Sequence, residues 1–111
     1  MGQGKHMEFP AGAQALGLNP LEAHAAFMQI DLASVKSELE VDGVSSLTVV
    51  LPPAPSEHDS CRQAIASDLA REYAPKRVNI AAGKKGEALD TVLTFLRDAP
   101  GVTGHYVQAH D

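Results

Sequence analysis

A second cysteine is what this sequence most plainly lacks. Cys61 stands alone, so no internal disulfide forms, which fits a reducing cytoplasm. Long hydrophobic runs are missing too. The longest, Leu47–Leu51 with its flanks, falls far short of the ~20 residues a membrane-spanning helix needs. No hydrophobic segment follows the N-terminal charge, so no secretory signal is expected. Nor is there an excess of basic charge: a formal net charge of −5 argues against a nucleic-acid partner, whose phosphates demand a basic face. Internal repeats and low-complexity tracts are absent as well. What remains is an ordinary globular composition, 44% hydrophobic and 21% charged over 111 residues. That is one domain, able to bury roughly two-thirds of its unfolded surface.

The chain is organised around residues 62–83, RQAIASDLAREYAPKRVNIAAG. A helix closes at Leu69–Glu72, because Pro75 removes an N–H and clashes with the preceding turn. Val78 to Ala82 reads as the body of a short buried strand over 77–82, and Gly83 frees the backbone where strand gives way to helix. Helix feeding strand feeding helix is the grammar of a parallel α/β sheet.

Upstream, Gly2–Met7 resembles a cloning remnant, so residues 1–7 are set aside. Residues 8–18 are small and poorly patterned and read as a flexible arm, leaving 19–111 as the domain. Gly12 and Gly17 have no strand before them, so they make no nucleotide-binding glycine loop. Asn19-Pro20-Leu21-Glu22 is a strong helix start, with a capping Asn, Pro at the first helical position and Glu three residues after the cap. The helix is expected over about Pro20–Glu40, with Leu21, Ala25, Met28, Leu32, Val35 and Leu39 forming a narrow seam and Phe27 and Ile30 lying off it.

Val44–Leu51 is rich in β-branched residues, and its near-continuous apolar run suits a strand covered on both faces. Pro52, Pro53 and Pro55 stop it. Ser56 is expected to cap the next helix, with Asp59 at the capping-box position and Cys61, Ile65 and Leu69 on its buried stripe. A third helix opens at Lys85 or Gly86 and turns Leu89, Val92, Leu93 and Leu96 inward. After Pro100-Gly101, Val102–Ala109 reads as a last strand. The order helix-strand-helix-strand-helix-strand, with right-handed crossovers, predicts a half-Rossmann-like α/β/α domain around a small parallel sheet of three strands.

Three stretches resemble the C-terminal half of the short-chain dehydrogenase/reductase family, in the family's order over roughly residues 22–110. Phe27–Val35 (FMQIDLASV) is similar to the helix segment V-N-L-x-x-V. Leu69–Pro75 (LAREYAP) with Arg77–Gly83 (RVNIAAG) is similar to L-A-R-E-x-A-P…R-V-N-x-x-x-P-G, and is the most specific of the three. Thr94–Leu96 through Val102–His105 is similar to L-F-L-x-S…V-T-G-Q. The resemblance implies a Rossmann-like fold of oxidoreductase ancestry, yet the family's functional residues do not carry over. Its asparagine falls at Asp31, its serine at Pro52 or Pro53, and its tyrosine and lysine at Pro55 and Asp59. Proline has no proton to donate, and aspartate does not replace an ammonium that binds ribose and lowers a phenol's pKa. The substrate lid after Gly83 and the N-terminal half with its dinucleotide glycine loop are also missing. The resemblance therefore implies a truncated pseudoenzyme with neither cofactor nor catalytic residues.

Other candidate clusters read more blandly. Asp31, Glu38, Glu40 and Asp42 spread over a helix and its end as a solvated face. His58, Asp59 and Cys61 offer metal ligands within one turn but lack a second pair, so no metal site is assigned. Cys61 beside His58 reads as a core thiol rather than a nucleophile. Gly83-Lys84-Lys85 at a helix start is a weak phosphate candidate without P-loop spacing. His105 and Tyr106 point to opposite faces of the last strand, one buried and the other exposed.

Two functions follow. The first is an interaction module that forms a two-fold homodimer or meets another protein. Its interface is the helices at 20–40 and 56–73, which build the family's common dimer contact, through Leu21, Met28, Leu32, Val35, Cys61, Ile65 and Leu69, or the open edge of strand 44–51. The second is a nucleotide- or phosphate-binding protein, or a subunit completing a partner enzyme, using the sheet's C-terminal edge.

Overall fold

A computed structural model of the chain describes residues 3–8 and 19–110. Four strands, all parallel and in the order β1-β2-β3-β4, alternate with helices. They are β1 (Gln3–Glu8), β2 (Val44–Leu51), β3 (Arg77–Ala82) and β4 (Tyr106–Gln108). The helices are α1 (Pro20–Ala26, Phe27–Asp31 and Leu32–Leu39, in continuous succession), α2 (Asp59–Glu72) and α3 (Glu87–Asp98). The result is the Rossmann-like α/β layering expected from the element order.

β2 sits at the centre of both cores. Leu47, Val49 and Leu51 join Val78 and Ile80 beneath α1 and α2, which contribute Phe27, Val35, Leu39, Ile65, Ala66 and Leu69. On the other face Val50 and Ala81 meet Leu89 and Leu96 of α3. A strand buried on both sides has no polar face to spare, which is why its apolar run is nearly unbroken.

The strand count differs from the sequence expectation. Residues set aside as a remnant supply β1, which lies along β2 with Lys5 opposite Leu47 and Met7 opposite Val49. The edge of β2 is therefore paired, and the open-edge association site expected there is not available. Among the described side chains of β1 only Met7 packs against the core, so QGKHME carries almost no strand pattern. Of the expected arm over 8–18, Glu8 belongs to β1 and the rest lies outside the described residues.

α1 starts as its sequence demands. Asn19 Oδ1 accepts the Glu22 N–H at 2.9 Å, and Glu22 Oε1 accepts the Asn19 N–H at 3.1 Å. A π-helical turn over Phe27–Asp31 then inserts extra backbone. Its consequence is register: Phe27, Asp31, Val35 and Leu39, each four apart, all turn inward. An undistorted helix would carry such a series progressively off one face.

α2 is not opened by the expected Ser56 box. A 3₁₀ turn over Ser56–His58 leads into it, with no side-chain cap. The last strand is also shorter than the 102–109 expected. The Thr103 hydroxyl accepts the Val78 N–H at 3.0 Å, and the Asn79 amide holds Val102 O and His105 N, each at 3.0 Å. Side chains thus supplement two backbone bonds, Gly104 N–H to Val78 O at 2.7 Å and Ile80 N–H to His105 O at 2.8 Å, before the strand begins at Tyr106. Lys76 and Arg77, at the start of β3, tie down two helix ends. Lys76 donates to Leu39 O and Val41 O, and Arg77 to Leu96 O, Arg97 O and Ala99 O.

Candidate functional site

The seven expected interface residues do not share one surface. Val35 is fully buried, and Ile65 and Leu69 are 4% exposed, within the domain's own core. Leu21 is 80% exposed at the start of α1, and Cys61 faces a separate small cavity. Met28, Leu32, Ile65 and Leu69 do come together. They floor a groove of about 330 Å³ between α1 and α2.

Its rim, not anticipated from the sequence, is charged. Lys36 and Glu72 face each other at 3.7 Å, and Arg71 lies 3.3 Å from Asp68. These side chains are 40% to 77% exposed, so each pair contributes little to folding. The signal was present one turn from the apolar positions: Lys36 follows Leu32 by four, and Asp68, Arg71 and Glu72 flank Leu69.

A second groove, of about 290 Å³, lies at the C-terminal ends of the strands. It is lined by Glu8, Leu51–Pro53, Gly83, Lys85 and Leu89. Parallel sheets place ligands at this edge. Lys85, the phosphate candidate, is 3.7 Å from the Glu8 carboxylate, so the groove offers an anion both a cation and a like charge. Lys84 is exposed and outside the lining. Gly83 earns its place differently from the expected freedom of its backbone. A Cβ there would stand 2.9 Å from the Ala109 Cβ, so glycine permits the C-terminal segment to lie against the end of β3.

The remaining candidates separate. Glu38 binds Lys5 at 2.9 Å, Glu40 accepts the Tyr73 hydroxyl at 3.4 Å, Asp31 is buried, and Asp42 is exposed. Among the described residues no three His, Cys, Asp or Glu side chains are placed to hold a metal. Asp59 accepts from Gln108 Nε2 at 2.8 Å. Arg62, buried, donates to Pro52 O at 2.9 Å and to the Tyr106 hydroxyl at 3.1 Å. Tyr106 is the half-buried member of the last strand's pair and His105 the exposed one. No helix among the described residues is long and apolar enough to cross a membrane.

A scan against protein families matches residues 12–109 to the SDR-like model, described as short chain dehydrogenase-like protein. The chain belongs to the SDR-like family. Searches of curated proteins and of solved structures gave no match. The SDR-like assignment spans every strand and helix after β1. Within it, the family-like R-V-N run serves the fold: Arg77 caps α3, Val78 fills the core and Asn79 holds the segment before β4.

Proposed function

We propose that this SDR-like chain is a non-catalytic assembly module, derived from the C-terminal half of the short-chain dehydrogenase/reductase fold, that pairs with a second copy of itself through α1 and α2. One observation carries the reading: the groove between these helices has an apolar floor and a rim with two cations and two anions. In a two-fold contact every residue meets its counterpart patch, so a rim of mixed sign is complementary to itself. Pairing of β2 with β1 covers the edge of β2, which favours the helix route over association through that strand.

The absence of catalysis rests on residue chemistry. Asp31, Pro52, Pro53, Pro55 and Asp59 stand at the positions the resemblance assigns to the family's asparagine, serine, tyrosine and lysine. The alternative, a nucleotide or phosphate binder or an accessory subunit, draws support from the groove at the strand ends and is opposed by Glu8 within it.

Met28→Asp tests the helix reading, because Met28 is 37% exposed and its replacement spares the core. Sedimentation is expected to give a folded monomer for the variant and a dimer for the parent chain. A variant that stays dimeric contradicts the proposal. A melting temperature raised by a nucleotide or phosphate would favour the alternative.

A further inference from the structure

A small cavity separate from the helix groove lies at the C-terminal end of β2, between the start of α1 and the first turn of α2. It holds about 30 Å³ of space, roughly enough for two water-sized groups. Phe27 and Leu51 form apolar walls, and His24, His58, Cys61 and Arg62 supply the polar ones. No Asp or Glu is among its lining residues. Asp59, in the same turn of α2, is engaged by Gln108 instead.

Each polar wall is incompletely used. Arg62 is 8% exposed, and its donors reach a carbonyl and a phenol, with the Tyr106 ring 5.7 Å away. Among the described residues no carboxylate pairs with it. A buried guanidinium without a counter-charge is costly. His58 is 7% exposed, and its imidazole makes no hydrogen bond or ion pair with any described residue. The Nδ1 of His24 is likewise buried without a partner among them. The uncapped N-terminus of α2, which begins directly after His58, adds positive potential.

We propose that this cavity binds the carboxylate head group of a small organic acid. Its two oxygens match the available space, Arg62 supplies the counter-charge, and the rings of His24 and His58 supply N–H donors. A tetrahedral phosphate has four oxygens to place and suits so small a space less well. The proposal goes beyond self-association and does not depend on it.

The test is a histidine side-chain NMR titration of the full chain, at fixed pH and ionic strength, with acetate and separately with phosphate. Acetate is expected to shift the His24 and His58 signals saturably while those of exposed His105 and His110 stay nearly fixed; phosphate is not. His58→Phe, which keeps the ring volume, is expected to bind acetate about tenfold more weakly, the worth of one charge-assisted hydrogen bond. Should that variant not fold, His24→Phe carries the same comparison. Unsaturable or uniform histidine shifts, saturable phosphate binding, or an unchanged acetate affinity in a folded variant would overturn the proposal.

Discussion

The buried Asn79 side chain accepts the backbone N–H of His105 at 3.0 Å while donating to Val102 O at the same distance. One amide therefore satisfies both polarities of the segment that leads into β4. Asn79→Leu would leave Val102 O and His105 N without these partners, and the expected loss is about 2–4 kcal/mol of unfolding free energy. Urea denaturation measures it; a loss under about 0.5 kcal/mol would mean water replaces the amide freely.

The contact of Gly83 with Ala109 makes a second prediction. Gly83→Ala forces two Cβ atoms that would stand 2.9 Å apart to separate, at an expected cost of about 1–3 kcal/mol. Removing the opposing methyl should restore most of it, so Gly83→Ala with Ala109→Gly is expected to be more stable than Gly83→Ala alone. A double-mutant cycle with no coupling would show that the end of the chain moves aside without cost.

Pairing of β1 with β2 makes a third prediction, on the segment that sequence reading set aside. Removing residues 1–8 should unpair the edge of β2, so hydrogen exchange at alternate amides of Leu47–Val50 is expected to quicken and the shortened chain to aggregate. Unchanged protection in a soluble shortened chain would show that β1 is dispensable.

Tyr73 gives a pH dependence. Burial first, then the charges of Glu40 and Glu72 and the hydrogen bond to Glu40, holds its phenol above the ordinary value. The folded state therefore favours the neutral phenol. Its contribution is complete below the unfolded pKa of about 10 and is lost as pH rises through the higher folded value. Tyr73→Phe is expected to flatten the alkaline loss of stability above about pH 10, read from urea midpoints. An alkaline limb identical to the parent's would assign that loss elsewhere.

Legibility followed physical signal strength. The start of α1 was readable because Asn19, Pro20 and Glu22 act locally, and β2 because burial on both faces demands an apolar run. β1 was not, since a polar edge strand contributing one side chain to the core has no period to detect. The π-helical turn escaped because it reassigns faces through backbone insertion: the expected seam agrees with the structure at Val35 and Leu39, but before them Phe27 and Asp31 replace Leu21 and Met28 inside. For the same reason the interface residues divided. Met28 and Leu32 stayed at the groove while Val35 went to the core. The rim charges and His24 lie outside apolar periodicity, and their meaning came only from what the fold sets beside them.

The central claim is self-association through α1 and α2, and light scattering after size exclusion tests it most directly, from micromolar down to nanomolar chain. The account predicts a dimer mass that persists on dilution in the parent chain and falls to half in folded Met28→Asp. A parent chain that is monomeric at every concentration would contradict it.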